Sequence, residues 1–484
     1  MKSLRITIFA LITSSILIGC TKQLNQQPIT EIPYEAFWKT ADDAANGNAA
    51  IYSAIQTTFS NTFIDWGDAR SDNFKSSGTG EYQVAISYNG LSATIATADW
   101  GNLYNTISRA NLAIKYVPTI NDVALTTSIR NNYLAQAYAI RAYMYFWAVR
   151  LWGDVPLRLK PYETIDALPN LARTNADTVI YNAIIPDLEN ALNLVDKKTL
   201  SPFLINTGSI LSMLAEVYMW KRDYAKVIYY TDQLIGLKQY GLETADNLKD
   251  VYITATTKEN IWTLNWNYLT DGYNGIGTKI GSNSNTSNFQ IDVPLKGFEK
   301  NYSDIRRNLN YDTALAAQTP TTPITVIWKY YPIDLTTGKP VAPSRSQNEV
   351  KLPLYRWPDL MLLRAEALNW GRNDKIGAFN LVNQVRQRAN IPTLDPTKFS
   401  TQLDVEWEIL NERQLELFAE GKRWFDLIRT NRVIDVMDPI ITDRQIAKNV
   451  SITGFSDSRK ILWPISRTAL NADPYLTQNP PYSK

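Results

Sequence analysis

Histidine is absent from this chain of 484 residues, and cysteine occurs once, at Cys20. Without histidine, the chain cannot form a Ser-His-Asp triad, a Cys-His pair or a histidine-ligated metal site. A lone cysteine excludes an internal disulfide and a cysteine-ligated iron–sulfur cluster, so the fold must rest on packing and hydrogen bonds. Any catalysis would have to use carboxylates, tyrosines or lysines, which leaves glycoside hydrolysis feasible.

The N-terminal apolar stretch, residues 6–18, is too short to cross a membrane as a helix. Lys2 and Arg5 precede it, and Leu17-Ile18-Gly19-Cys20 ends it, which is the layout of a bacterial secretory signal with a lipobox. We therefore expect cleavage before Cys20 and acylation of its thiol. A lipid-anchored protein outside the inner membrane meets substrates that a cytoplasmic protein does not.

The chain has a formal net charge of +2, and both excess cations, Lys2 and Arg5, lie in the predicted signal. The mature protein is therefore formally neutral. Such a balance offers no electrostatic footprint for nucleic acid or for anionic lipid. We therefore expect no nucleic-acid partner, and membrane contact only through the lipid anchor.

Apolar residues at helical spacing predict a mostly α-helical protein. The predicted helices cover residues 34–59, 100–117, 129–152, 178–195 and 403–432. The third ends at Gly153 with Pro156 just beyond, and Pro186 is expected to kink or break the fourth.

Two helical segments of the chain share an internal sequence repeat. Ala, Glu, Trp and Arg recur at a constant offset between residues 215–222 and residues 365–372. Each block ends one helix and leads by a short turn into another, residues 224–237 and 375–389. A small residue followed by a large one at this spacing resembles a tetratricopeptide unit, which is usually a binding or docking scaffold.

Two long stretches rich in Gly, Ser, Asn and Thr interrupt the helices, at residues 63–98 and 236–353. Tryptophans and tyrosines are scattered through both, and residues 324–328 alternate as a short strand does. Loops of this length are uncommon in compact domains unless they have a function. We therefore expect a loop-rich, partly β region that faces a ligand.

The densest polar cluster lies at residues 411–429, where Glu412, Glu416 and Glu420 recur every four residues. On a helix this spacing places the three carboxylates on one face, where they repel each other. They could serve as paired carboxylates of a glycosidase. The neighbouring arginines favour a second interpretation, in which the acids are ion-pair struts between packed helices.

This cluster resembles the signature helix of SusD/RagB-type outer-membrane lipoproteins of Bacteroidetes. Residues 141–157, with their Gly-Asp-x-Pro stop, resemble the aromatic helix of that family, and residues 356–367 resemble its Arg-x-x-Asp helix. The C-terminal residues 462–465 and 478–482 resemble its closing segment, although Pro481 replaces the usual Gly. The resemblance spans the mature chain in order.

The resemblance implies a non-catalytic binder that captures glycans at the cell surface and delivers them to a SusC-like, TonB-dependent transporter, without a cofactor. Some surface lipoproteins of these bacteria carry acids after the acylated cysteine, whereas this chain has Lys22 there. Surface display in the outer membrane is therefore implied by the resemblance alone. We expect a signal at residues 1–19 and one domain at residues 20–484, with helical scaffold at about 34–59, 100–237 and 356–432.

The family signature transfers no ligand residue, so we choose candidates from physical chemistry. Sugar rings need Trp or Tyr platforms beside polar groups that fix the hydroxyls. Two loop clusters combine such residues. The first contains Trp66, Asp68, Arg70, Asp72, Asn73, Tyr82, Trp100 and Asn102, and the second contains Trp266, Tyr273 and Asn274. Alternatively, each aromatic residue anchors its loop to the helices.

The remaining motifs are weak. The glycines at 275, 277 and 281 do not have the spacing of a dinucleotide fingerprint. Asp65, Asp68 and Asp72 do not match a calcium loop, so we expect no metal site. Two rivals to the glycan-binding hypothesis remain, a surface glycosidase and a peptide-binding or structural adaptor lipoprotein.

Overall fold

The computed structural model describes residues 37–78, 80–163, 170–254, 257–272, 274–280, 287–292, 301, 303–311, 327–331 and 350–483. Within these residues the protein is mostly α-helical, as predicted, with two small sheets. None of the helices in this part of the chain is both long and apolar enough to cross a membrane.

The first nine helices are α1 (Ala41–Gly67), α2 (Glu81–Ser87), α3 (Gly101–Tyr116), α4 (Thr127–Trp152), α5 (Ala176–Val179), α6 (Ile185–Leu194), α7 (Thr207–Trp220), α8 (Tyr224–Gly236) and α9 (Asp250–Ile253). The others are α10 (Tyr268–Asp271), α11 (Ile276–Ile280), α12 (Arg306–Asn310), α13 (Trp357–Arg372), α14 (Lys375–Arg388), α15 (Gln402–Glu416), α16 (Arg423–Arg429), α17 (Val433–Ala447) and α18 (Arg467–Ala472). The strands are β1 (Phe74–Ser76), β2 (Asn260–Asn265), β3 (Phe289–Ile291) and β4 (Lys351–Arg356).

Helix α1 begins with a capping box, in which Thr40 and Asp43 each accept a backbone N–H of the other. The predicted end at residue 59 is wrong, since the helix continues to Gly67. Phe59, Phe63 and Trp66 continue one buried stripe at helical spacing, and this packing extends the helix into the stretch predicted as loop.

Helix α4 is the centre of the scaffold. Every residue from Leu134 to Trp152 except Tyr138 is buried, and α1, α3, α6 and α7 pack around it. Gly153, with φ of +72°, ends the helix as predicted. The prediction of a break near Pro186 is also confirmed, because a π turn at Ile180–Ile184 separates α5 from α6.

The predicted repeat is confirmed as two helical hairpins, α7 with α8 and α13 with α14. Helix α8 packs against α13, so the two hairpins stack on each other. Ala215 and Ala365, the small residues of the repeat, are both fully buried at these contacts. The tetratricopeptide-like interpretation of the scaffold therefore agrees with the packing.

The single helix predicted at residues 403–432 is wrong. Helix α15 ends at Glu416, a turn follows, and α16 starts at Arg423. Within the turn, Ala419 and Gly421 have φ of 63° and 71°, which a continuous helix cannot include. Gly67 of α1 lies directly against the backbone of Gly421, so tertiary contact fixes the break.

The two sheets each join distant parts of the chain. Strand β1 pairs antiparallel with β3, so the two loop-rich stretches are hydrogen-bonded to each other. Strand β2 pairs antiparallel with β4, and β4 leads directly into α13. Of the strand predicted at residues 324–328, Ile327 forms a bridge with Tyr311, and residues 324–326 lie outside the described residues.

Replacing Gly67 by alanine is expected to lower the free energy of unfolding by about 1–3 kcal/mol, because the added methyl would overlap the Gly421 backbone. Gly236→Ala is the matched control, since a Cβ there meets no atom within 4 Å. Urea denaturation of both variants measures the difference. Equal midpoints for Gly67→Ala and the wild type would contradict the close approach of α1 and the turn.

Candidate functional site

The residues from Glu412 to Arg423, which we call the signature segment, bury three carboxylates against cations from elsewhere in the chain. The Oε1 of Glu412 lies 2.7 Å from Nη1 of Arg306, and Glu416 lies 3.0 Å from the same nitrogen. The Oε1 of Glu420 lies 2.6 Å from Nζ of Lys329. The cationic partners of the three acids are Arg306, Lys329, Arg356, Arg386 and Arg388.

These contacts confirm the ion-pair interpretation of the three acids. Glu412 and Glu416 lie on α15, whereas Glu420 lies in the turn, so the expected common helix face holds for only two of them. Each carboxylate is buried and ion-paired. Their burial and pairing favour the ion-pair interpretation over the glycosidase interpretation.

For Glu416 and Glu420, ion pairing lowers the pKa by more than burial raises it. Burial alone would raise the pKa of Glu416, but Arg388, Arg356 and Arg306 outweigh it and hold this pKa well below its usual range. The pKa of Glu420 is likewise lowered, because Arg356 and Lys329 overcome the effect of burial. The segment therefore carries ionised carboxylates in a dry environment.

The signature segment also holds the first loop-rich stretch. The backbone N–H of Gly421 donates to Asp68 Oδ2, and Asn73 donates to the other oxygen of Asp68 at 2.9 Å. Arg423 donates twice to Asp72, from Nε and Nη2, at 2.8 Å each. Burial raises the pKa of Asp68 to about 7, which is consistent with its enclosed position.

The predicted platforms Trp66 and Trp100 do not face solvent. Trp66 is 1% exposed, donates from Nε1 to the carbonyl of Thr97 at 2.8 Å, and packs edge-on against Trp152. Trp100 packs against the same Trp152, with ring centroids 5.5 Å apart. This placement favours the alternative in which these rings anchor their loop to the helices.

The predicted polar partners of the first cluster also have structural contacts. The Arg70 guanidinium lies over the ring of Trp424, 4.2 Å from its centroid, and donates to Asn89 at 2.7 Å. Asp68 and Asp72 bind the signature segment, and Asn73 Oδ1 accepts from Nε2 of Gln414 in that segment at 3.0 Å. Asn102 is exposed on the first turn of α3. Apart from Asn102, these side chains are occupied in holding the loop.

The second predicted cluster is described in part. Trp266 is 2% exposed, and its backbone N–H donates to the carbonyl of Val350 at 2.9 Å. Asn274 is buried, and its Oδ1 accepts from the backbone N–H of Ile276 at the start of α11. Tyr273 lies outside the described residues.

The structure brings the two loop-rich stretches together at one place, which we call the junction: the β1–β3 pair with Asp65, Tyr82 and Lys279. The Nζ of Lys279 donates to Asp65 Oδ2 at 2.7 Å and to the hydroxyl of Tyr82. The same Nζ lies 4.5 Å from the centroid of the Tyr82 ring, which also contacts Phe289 edge-on. Tyr82, which belongs to the first loop-rich stretch, therefore contacts two residues of the second.

Tyr82 is the predicted aromatic residue of the first cluster that remains partly exposed. It is half-buried on α2, beside the half-buried Gln83, and Tyr88 follows the same helix with similar exposure. On the neighbouring strands Lys75 and Gln290 are also half-buried. The junction thus presents tyrosine rings with amide and ammonium groups around them, a combination suited to a hydroxyl-rich ligand.

Sequence reasoning missed Asp65 and Lys279 as parts of this site. Asp65 is fully buried, and burial raises its pKa to about 6 although Lys279 opposes the shift. The sequence offers Asp65 only the role of a calcium ligand, and the described residues contain no group of acids that could hold a metal ion. Lys279 carries no local signal, since its partners lie about two hundred residues away in the chain.

Comparisons with known proteins agree with this fold. A family model described as "SusD family" matches residues 237–482, and one described as "Starch-binding associating with outer membrane" matches residues 25–219. SusD-like protein P38 of Formosa agariphila is 29% identical, with 99% of each chain covered. SusD-like protein P2 of the same organism is 26% identical, covering 91% of this chain and 93% of that protein.

Solved structures share the architecture. A SusD superfamily protein of Bacteroides thetaiotaomicron has a TM-score of 0.74 at 22% identity, covering 92% of this chain and 99% of that chain. Bacteroides fragilis NanU has a TM-score of 0.73 at 20% identity, covering 95% of this chain and 100% of that chain. At these identities the similarity supports the mostly helical fold.

Substituting Glu416 by glutamine is expected to destabilise the protein by about 3–5 kcal/mol, because three buried guanidinium groups lose a common counter-charge. Glu189→Gln, at an exposed position of α6, is the control and should change stability by less than about 0.5 kcal/mol. Chemical denaturation monitored by circular dichroism measures both. An unchanged free energy of unfolding in Glu416→Gln would contradict the proposed contribution of this ion-pair network to stability.

Trp66→Ala and Tyr82→Ala should separate an anchoring ring from a surface ring. Trp66→Ala is expected to cost about 3–5 kcal/mol, because it leaves a cavity beside Trp147 and Trp152. Tyr82→Ala removes a half-buried ring and should cost less than half as much. Thermal unfolding of the two variants measures this, and the reverse order would contradict the assignment of Trp66 to the core.

Proposed function

This chain belongs to the SusD family, and on that basis we propose that it binds an oligosaccharide or polysaccharide and delivers it to a SusC-like, TonB-dependent transporter of the outer membrane. The description of the second family model, "Starch-binding associating with outer membrane", supports the carbohydrate class and the membrane. The observation that carries the proposal is the junction, where Tyr82 lies partly exposed between the two loop-rich stretches.

Tyr82 has the properties of a sugar platform. Its ring offers a flat apolar surface to the C–H groups of a pyranose, and its hydroxyl offers a polar edge. Because the ammonium of Lys279 donates to this hydroxyl, the hydroxyl keeps its own proton for a ligand oxygen. Lys279 is in turn fixed by Asp65, so the ring is positioned before the ligand arrives.

Of the residues predicted to bind ligand, we assign direct contact to Tyr82 and, at the exposed start of α3, to Asn102. Gln83 and Tyr88 are added, because they lie half-buried on or directly after the same helix. The remaining described residues of the two clusters act by holding the loops. We expect modest affinity, because the cargo must be released to the transporter.

We propose no catalytic role, in keeping with a family of binding proteins. The acids of the signature segment are ion-paired, and Asp65 is paired with Lys279. We further propose that Cys20, which lies outside the described residues, carries the lipid anchor, and that residues 20–484 form one domain displayed at the cell surface. Release of reducing ends from a glycan panel would instead identify a glycosidase.

Tyr82→Ala is expected to weaken binding of the glycan by about tenfold, and Tyr82→Phe by about threefold, because the second variant keeps the ring and loses the hydroxyl. Affinity electrophoresis against a panel of polysaccharides identifies the ligand, and isothermal titration calorimetry then measures the variants. Tyr475→Ala, at an exposed tyrosine outside the junction, is the matched control.

Two results would contradict the proposal. Full affinity in Tyr82→Ala would remove the junction from the binding site. Absence of binding to every polysaccharide, together with stable binding to peptides or to the transporter alone, would favour the peptide-binding or structural adaptor.

A further inference from the structure

A concave site lies in the helical scaffold, between the turn that joins α7 to α8, helices α13 and α15, and the end of α16. This scaffold cleft has a volume of about 470 Å³. It lies within the range of small-molecule sites, although its walls are more polar than most. Its lining residues are Met219, Arg222, Tyr224, Glu366, Trp370, Glu406, Ile428, Arg429, Thr430, Asn431 and Arg432.

The internal repeat contributes five of the residues that line the scaffold cleft, and α15, α16 and the residues after α16 contribute the others. Arg222 follows α7 with φ of 56°, and Tyr224 starts α8, while Glu366 and Trp370 lie one turn apart on α13. Gly371 approaches Tyr224 so closely that a Cβ would lie 2.6 Å from the Cβ of that tyrosine. The two hairpins therefore meet at a fixed distance, and the cleft is a consequence of their stacking.

Most charges in the cleft are already paired. Arg429 contacts Glu366 and also donates to Asp426 at 2.9 Å. Arg432 donates to Glu406 Oε1 at 3.0 Å, and the indole N–H of Trp370 donates to the other oxygen of Glu406 at 2.8 Å. These contacts fix the shape and leave little net charge to attract an ion.

Four groups keep unused hydrogen-bonding capacity. Oε2 of Glu366 has no partner in the described part of the chain, although this residue is only 3% exposed. Arg222 donates to the carbonyl of Arg429 at 2.9 Å and has further N–H groups to offer. Asn431 is exposed and Tyr224 is half-buried, and neither side chain is hydrogen-bonded to another described residue, whereas the backbone N–H of Asn431 donates to the carbonyl of Ile428 at 3.0 Å.

We propose that the scaffold cleft binds a neutral polyol, namely one or two sugar units, at a site separate from the junction. A buried carboxylate oxygen without a partner is costly and calls for a donor. The free N–H groups of Arg222 can donate hydrogen bonds to an acceptor, and the Tyr224 hydroxyl and the Asn431 side-chain amide can each donate or accept one. A sugar hydroxyl does both, and the half-buried indole of Trp370 supplies an apolar wall.

Simple ions fit this set of donors and acceptors less well. An anion would pair with Arg222 but would be repelled by the carboxylates of Glu366 and Glu406. A cation would pair with Glu366 but would be repelled by the three arginines of the lining. A zwitterionic amino acid could engage both Glu366 and Arg222, but it leaves the neutral groups Tyr224 and Asn431 unused. The balance of donors and acceptors favours the polyol.

The test observes Trp370 directly in the full mature protein. Labelling with 5-fluorotryptophan gives one ¹⁹F resonance for each of the 14 tryptophans, and Trp370→Phe identifies its own. D-glucose, D-galactose, D-mannose and N-acetyl-D-glucosamine, with their disaccharides, are titrated one at a time. We expect at least one sugar to shift the Trp370 resonance in a saturable manner.

Arg222→Ala is expected to weaken that saturation by about tenfold, since a charged hydrogen-bond donor is removed. Arg459→Ala, an exposed arginine paired with Asp457, is the matched control and should leave it unchanged. Tyr82→Ala should also leave it unchanged, which separates this site from the junction whatever the junction binds.

Three outcomes would overturn the proposal. These are no saturable shift with any sugar, a shift that Arg222→Ala does not weaken, and a shift produced by glycine or L-alanyl-L-alanine but by no sugar. The last would identify an amino-acid or peptide-end site in place of a polyol site.

Discussion

Ion pairing to the signature segment is the constraint on which the arrangement of this protein depends. Cations from the second loop-rich stretch, Arg306 and Lys329, reach the carboxylates of this segment, while the first stretch is held through Asp68 and Asp72. One short segment, the end of α15 with the turn and the start of α16, thus binds both stretches. Each charge would be costly to bury alone, and mutual pairing offsets that cost.

The position of the proposed binding face follows from this constraint. Because both stretches are held by the signature segment, β1 and β3 can pair, and Tyr82 lies where the two stretches meet. The stacked hairpins contribute rigidity, and their ends enclose the scaffold cleft. The same scaffold therefore supports both proposed sites, one formed by loops and one to which the repeat contributes part of the lining.

Much of the scaffold could be predicted from the sequence, because caps and helical spacing are local signals, as at α3, α4 and the two hairpins. The break after Glu416 could not, since an alanine with positive φ, Ala419, is imposed by tertiary contact. Nor could the burial of Trp66 be predicted, because tryptophan beside polar residues looks the same in an anchored loop and in a sugar site. The role of Lys279 was equally beyond prediction, because its partner Asp65 is distant in the chain.

Native-state hydrogen exchange tests most directly whether the signature segment positions the junction. The measurement compares backbone amides of β1 and β3 with those of α4 in the wild type and in Arg306→Met. We predict faster exchange at the β1–β3 pair in the variant, with α4 unchanged, because the ion pairs of Arg306 tie the second loop-rich stretch to Glu412 and Glu416. Unchanged exchange at β1 and β3 would contradict the account.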